Sequence, residues 1–175
     1  YKVRKVKFIT TEEELALISK LVSNLKEFGF NSSNSVIVTV STDYSSIIGQ
    51  ILRHQLSIGG EICEGFGVDV PYPDEVWNKR YVDDMYEMFK LHSHQFQSKS
   101  LIFVEAGVIR GGNYGYIIDW VRKRLEPKKT IMTVTLYENI HSKFKSDFVG
   151  EYYNDEQEDL TFWWEKENKH WKNSF

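Results

Sequence analysis

Short apolar runs in this sequence lead directly into polar loops and then into amphipathic helices. Residues 35–40 are a β-branched run, the polar stretch 41–46 follows at once, and apolar residues then recur at helical spacing. Residues 101–104 begin a second such unit, with an amphipathic pattern over 114–125. A continuous apolar run of this length is typical of a strand buried on both faces. The sequence therefore predicts an α/β fold with a mostly parallel central sheet flanked by helices.

The remaining patterns fit one domain spanning residues 1–175. Basic and apolar residues alternate over 3–9, which predicts an edge strand, and Thr10 or Thr11 can cap the helix that follows. A further strand is predicted over 130–137. Residues 57–100 hold a predicted strand and helix, and the sequence leaves open whether they form a hood over a ligand or an insertion.

Charge and cysteine content narrow the function classes. The chain has 22 Lys and Arg against 25 Asp and Glu, a net charge of −3, which weighs against binding of nucleic acid. No apolar run approaches the length of a membrane span, and no signal-peptide pattern is visible. Cys63 is the single cysteine, so an intrachain disulfide is excluded and a cytoplasmic location is expected.

The polar segments after the two buried strands are the candidate ligand sites, because parallel sheets bind ligands outside the carboxyl ends of their strands. In the second segment Glu105 leaves the strand, and Gly111 and Gly112 precede the helix. Backbone N–H groups at such a helix start can hold phosphate, and Arg110 can add a bidentate contact. The alternative is a tight turn with a surface arginine. The patterns G-x-x-x-x-G-K-[ST] and G-x-G-x-x-G are absent.

Two further motifs resemble parts of a known family. Residues 145–150 read Lys-Ser-Asp-Phe-Val-Gly, and residues 162–165 read Phe-Trp-Trp-Glu. The first is similar to the Lys-Pro-Asp-Phe/Tyr-Val-Gly of the purine-salvage branch of the type I phosphoribosyltransferases. The second is similar to the Pro-Trp-Glu/Asp that closes many bacterial and archaeal members. With the order of elements and the loop after the central strand, the resemblance spans about residues 35–165.

The resemblance implies a parallel sheet with a small hood. It also implies a glycosyltransferase of purine salvage that transfers ribose 5-phosphate from phosphoribosyl pyrophosphate to a purine base with Mg²⁺. Glu105 matches the first of the family's two acids, so it is the expected catalytic and metal-contacting residue. The other site residues that the resemblance implies are Arg110, Gly111, Gly112 and Asn113 for the 5′-phosphate, Ser41, Thr42, Asp43 and Tyr44 for the pyrophosphate loop, and Lys145, Phe148 and Val149 for the base.

Several positions depart from the family pattern. Ala106 stands where the second acid should be, and Ile109 replaces the aspartate associated with the purine proton. The alternative function is therefore a non-catalytic or repurposed protein that binds a nucleotide, a phosphosugar or a protein partner. Asp43 and Asp147 are the carboxylates that could serve as a base instead. The aromatic residues 162–164 could stack on a purine or pack as a terminal strand or dimer contact, and a homo-oligomer is possible.

Overall fold

The computed structural model of the chain describes residues 4–40, 44–68, 79–96, 98–108, 111–124 and 130–163. In chain order the elements are β1 (Lys5–Ile9), α1 (Thr11–Glu27), β2 (Ser35–Val40), α2 (Tyr44–Gln55), β3 (Glu64–Val68), α3 (Lys79–Leu91), a 3₁₀ turn (Ser93–Gln95), β4 (Ser100–Val108), α4 (Gly112–Arg124), β5 (Ile131–Asn139), β6 (Phe148–Tyr153) and β7 (Glu158–Phe162). The alternation of strands and helices confirms the predicted α/β class.

The main sheet has five strands in the order β3-β2-β4-β5-β6, and every neighbouring pair is parallel. Alternate side chains along each strand enter two separate cores. Ile37 and Ile102 pack with α1 and α2, whereas Val38 and Phe103 pack with α3 and α4. Helices therefore cover both faces of the sheet, which explains why the central strands read as continuous apolar runs.

The start of α1 follows directly from the sequence. Thr10 Oγ1 accepts the backbone N–H of Glu13 at 3.2 Å, and the Glu13 carboxylate accepts the N–H of Thr10 at 2.9 Å. This reciprocal pair is the capping box expected from a threonine followed three residues later by a glutamate.

A second sheet contains two of the described strands, β1 and β7, and is called the hood here. The strand predicted over 3–9 is present as β1, but it pairs in parallel with β7 and not with the main sheet. Arg4 pairs with Asp159 at 3.1 Å, and Lys7 pairs with Glu151 of β6. The rings of Phe162 and Tyr137 meet edge to face at 5.5 Å, which joins the hood to the end of β5. The described part of region 57–100 instead supplies β3 and α3 to the main body.

No helix in the described ranges is both long enough and apolar enough to cross a membrane.

The contact between α1 and the hood contains a buried acid. Glu14 is 3% exposed, and its carboxylate accepts the indole N–H of Trp163 at 3.2 Å. Burial raises the pKa of Glu14 to about 7, although the hydrogen bond from Trp163 opposes this rise. Its protonated form therefore stabilises the fold fully below the ordinary carboxyl pKa, and this stabilisation is lost as the pH rises through about 7.

Replacing Glu14 with Gln should stabilise the protein in a pH-dependent way. The amide keeps an acceptor for Trp163 but carries no charge to desolvate. The free energy of unfolding, measured with urea, should rise by about 1–3 kcal/mol at pH 8. Near pH 4 it should change little, because Glu14 is already protonated there. Glu12→Gln, on the exposed side of the same helical turn, is the control. An equal gain at both pH values would contradict the assignment.

Candidate functional site

The ends of β2, β4 and β5 and the starts of α2 and α4 lie along one edge of the main sheet, here called the carboxyl edge. One side-chain contact connects the start of α2 to β4. The hydroxyl of Ser45, in the first turn of α2, donates to Glu105 Oε1 at 2.9 Å and accepts the N–H of Ala106 at 3.2 Å. The structure thus holds Glu105 next to the segment that follows β2.

The side chain of Glu105 is partly buried. Its Oε1 also accepts the N–H of Ala106 at 2.9 Å. Burial raises the pKa of Glu105 to about 7, while hydrogen bonds from Ser45 and from the backbone of Ala106 and Gly107 lower it. A carboxyl with this pKa changes charge near neutral pH, which is typical of acids that bind or react with a ligand.

The start of α4 is held from two sides. The hydroxyl of Tyr114, in the first turn, donates to the carbonyl of Phe103 at 2.9 Å and accepts the N–H of Val134 at 3.2 Å. Gly111 has a φ of 76°, and a Cβ there would lie 2.5 Å from Ser142 Oγ and 2.6 Å from Phe144 Cβ. The backbone before α4 therefore needs glycine both for its conformation and for its contact with the loop after β5.

The loop after β5 carries Lys145 along the same edge. Its ammonium donates to the carbonyl of Ile140 at 3.0 Å and lies 3.7 Å from Glu138 Oε1. Phe144 packs on Tyr114 with ring centroids 4.8 Å apart, so this loop lies against the start of α4. The predicted base lysine and the predicted phosphate glycine are therefore carried by touching segments.

The other two predicted base residues are at the start of β6. Phe148 is 7% exposed, and its ring meets Phe28 edge to face at 5.1 Å. Val149 is partly buried and pairs with Thr135 in the ladder between β5 and β6. The ring of Phe148 is thus packed at the end of α1, and Lys145 is the residue of the three whose side chain is half exposed.

Several predicted site residues lie outside the described residues. Ser41, Thr42, Asp43 and Arg110 belong to this group, as does Trp164. Of Tyr44 and Asn113 the structure describes the backbone in α2 and α4 but not the side chains. Gly112 is the first residue of α4, and a Cβ built there would have open space around it.

Sequence reasoning missed Ser45, Tyr114 and Glu138. Ser45 lies within the predicted polar segment 41–46, but the residues predicted for the pyrophosphate loop end at Tyr44. The position of Ser45 at a helix start beside a parallel strand end is the available signal. The spacing that places Tyr114 on the apolar side of α4 gives no sign that its hydroxyl bonds to two strands. Glu138 sits in a run of otherwise uncharged residues, and an isolated acid in a buried strand was the signal there.

Asp147 has a structural role. Its Oδ2 accepts both the N–H and the hydroxyl of Thr133, at 2.8 and 2.9 Å, near the beginning of β5. Its carboxylate is therefore used to join the start of β6 to β5. Among the residues that the structure describes, no group of three or more His, Cys, Asp or Glu side chains could hold a metal. A metal at the carboxyl edge would have Glu105 as its carboxylate from β4.

A cavity of about 140 Å³ lies between α2 and the strands β2 and β3. Thr39, Ser46, Gln50 and Arg53 supply its polar side chains, and the backbone of Gly65 and Gly67 lines it as well. Of the described residues in the predicted segment 41–46, Ser46 borders it. Ser45 and Glu105 do not line this cavity, so we assign the candidate site to the carboxyl edge, where these two residues meet.

Solved structures with the same architecture come from several organisms. The xanthine-guanine-hypoxanthine phosphoribosyltransferase of Helicobacter pylori is similar over 98% of this chain and 99% of that one, with a TM-score of 0.65 and 15% identity. A purine phosphoribosyltransferase from Pyrococcus horikoshii is similar over 90% of this chain and 93% of that one, with a TM-score of 0.63 and 17% identity. This chain has the type I phosphoribosyltransferase fold.

A third structure with this fold, a hypothetical protein from Neisseria gonorrhoeae with bound ppGpp, has a TM-score of 0.66 and 16% identity over 94% of this chain and 91% of that one. No family model matches the sequence, and no curated protein matches it either. The phosphoribosyltransferase fold is thus shared along nearly the whole chain, whereas the sequence identity with these three structures is 15–17%.

Replacing Gly111 with Ala should destabilise the phosphoribosyltransferase fold. The new Cβ would overlap Ser142 and Phe144, and alanine resists a positive φ. We expect a loss of about 2–4 kcal/mol in the free energy of unfolding, measured with urea. Gly112→Ala is the matched control, because no atom lies within 4 Å of a Cβ there. Equal effects from the two substitutions would show that the contact between the loops is not important.

Proposed function

We propose that this protein is a purine phosphoribosyltransferase, which joins the ribose 5-phosphate of phosphoribosyl pyrophosphate to a purine base. The observation that carries the proposal is Glu105, held by Ser45 where the central strand nears the carboxyl edge. It is supported by the fold shared with enzymes described as purine phosphoribosyltransferases.

In this proposal the chain positions two substrates along the carboxyl edge. A ring nitrogen of the base forms a bond to C1 of the ribose, the bond from C1 to the diphosphate oxygen breaks, and diphosphate leaves. Positive charge develops on the ribose in between. Glu105, once ionised, would stabilise that charge or orient the ribose hydroxyls, and the backbone from Gly111 into α4 would bind the 5′-phosphate with Arg110.

Mg²⁺ belongs to the proposal as well. A single protein carboxylate suits Mg²⁺, because this ion keeps waters and substrate oxygens as most of its ligands. Glu105 would be the residue that holds it, and the ion would offset the charge of the diphosphate. The proton lost by the base would pass to water, to diphosphate or to Asp43, since Asp147 Oδ2 already accepts the N–H and the hydroxyl of Thr133.

Glu105→Gln should lower kcat for release of pyrophosphate by about 100-fold, the typical cost of losing one preorganised electrostatic contact. The assay uses phosphoribosyl pyrophosphate, Mg²⁺ and each common purine base. Glu61→Gln, an exposed acid of a surface turn, is the control and should leave kcat unchanged. Absence of turnover by the wild-type protein with every base would reject the proposed reaction.

The pH dependence gives a second test. Activity that needs ionised Glu105 should rise with pH, because burial raises the pKa of this carboxyl when no metal is bound. Ser45→Ala removes a donor that favours the ionised form, so the rise should move to higher pH. A profile of log kcat/KM against pH measures both values. An acid limb that stays at the same pH in Ser45→Ala would contradict the role of this hydrogen bond.

The second candidate is a nucleotide-binding protein without transferase activity. Ala106 in place of a second acid favours it, and so does the structure from Neisseria gonorrhoeae with bound ppGpp. This candidate predicts a rise in Tm with ppGpp or purine nucleotides, because a ligand that binds only the folded state stabilises it. The decisive result would be such a rise in a protein that releases no pyrophosphate.

A further inference from the structure

Glu138 is a fully buried acid at the end of β5. Its side chain is 0% exposed, and its Oε2 accepts the N–H of Ser146 at 2.8 Å. Its Oε1 accepts no hydrogen bond from the residues that the structure describes, and it faces the Lys145 ammonium at 3.7 Å. An ionised carboxylate in such a place needs an opposite charge nearby, and Lys145 supplies it.

Lys145 meets solvent on its other side. Its side chain is 54% exposed, and one of its three N–H groups is used by the carbonyl of Ile140. The ammonium therefore keeps donor capacity toward the outside of the loop. Phe144, the neighbour of Lys145 in sequence, touches Gly111, so the loop that carries Lys145 contacts the backbone proposed to bind the 5′-phosphate.

Glu138 changes the electrostatic potential that Lys145 presents to a ligand. The pair carries no net charge, so Lys145 presents an N–H donor without an excess positive potential behind it. A donor of this kind forms a favourable hydrogen bond with a neutral carbonyl oxygen. It gives little additional attraction to an anion, because the carboxylate behind it repels the same charge.

We infer that Glu138 makes the base site selective for an uncharged oxopurine over an anionic one. Hypoxanthine and guanine have neutral rings near neutral pH, whereas the more acidic xanthine ring of a nucleotide is an anion. The inference rests on the proposed function, since it assumes that Lys145 meets the base. Glu138 acts through Lys145 and is therefore a positioning and specificity residue that does not itself touch the ligand.

Binding of two nucleotides tests the inference without needing catalysis. Inosine and xanthosine 5′-monophosphates share the ribose and the phosphate, so the ratio of their Kd values reports on the base alone. Titration calorimetry near pH 7.5 is done on the full chain. The wild-type protein should bind inosine monophosphate about tenfold more tightly, the size expected for one charge contact half exposed to solvent.

Two substitutions should move this ratio in opposite directions. Glu138→Gln keeps an acceptor for Ser146 but removes the negative charge, so the preference should shrink by about tenfold. Lys145→Gln leaves the carboxylate uncompensated, so both affinities should fall and the preference for the neutral base should widen. Glu151→Gln is the control, because it removes an acid paired with a lysine in the hood and should leave the ratio unchanged.

The outcomes separate the inference from the proposed function. If the wild-type protein binds both nucleotides and neither substitution changes the ratio, the inference fails while the proposed function stands. If the wild-type protein binds neither nucleotide, the proposed function fails and the inference with it. If the thermal melt shows that Glu138→Gln does not fold, the test uses Lys145→Gln alone. A smaller preference for inosine monophosphate in that variant than in the wild-type protein would overturn the inference.

Discussion

Parallel hydrogen bonding between β2, β4 and β5 brings three strand ends to one edge of the sheet, together with the starts of α2 and α4. Helices cover both faces, so ligand-binding groups can gather only where the strands end. Ser45 and Glu105 come from segments 60 residues apart in sequence, and the ladder between β2 and β4 is what makes them neighbours. The site depends on this register, because a shift by one residue would turn Glu105 to the opposite face.

Two acids on neighbouring strands of this edge are compensated in different ways. Glu105 is held by neutral donors, a hydroxyl and backbone N–H groups, and its charge is therefore sensitive to pH near 7. Glu138 lies beside an ammonium and a backbone N–H. The first arrangement leaves a negative charge available to a ligand, whereas the second cancels a charge inside the protein. Two glutamates on adjacent strands, Glu105 within β4 and Glu138 near the end of β5, thus give this part of the sheet two different electrostatic properties.

Much of the architecture could be predicted from the sequence because it depends on local patterns. The mostly apolar runs at 35–40 and 101–104 form central strands, and Thr10 caps α1 by a contact that spans three residues. The pairing of β1 with β7 could not be predicted, because it joins strands about 150 residues apart that share no distinguishing pattern. The sequence predicts which segments form the site, but it does not predict the contacts between them. Gly111 follows from its place after a strand. Glu105 is predicted to leave the strand at 104, but it lies within β4, which continues to Val108. Ser45 and Glu138 gain their roles from partners that only the fold supplies.

The contact of Gly111 with Ser142 and Phe144 has a consequence for ligand length. It brings the backbone before α4 against the loop that carries Lys145, with no side chain contributed by Gly111. The separation between these two segments is therefore set by van der Waals contact and cannot shorten further. A ligand that bridges the two segments must therefore have a length that fits this fixed separation, whatever chemical groups it carries at its two ends.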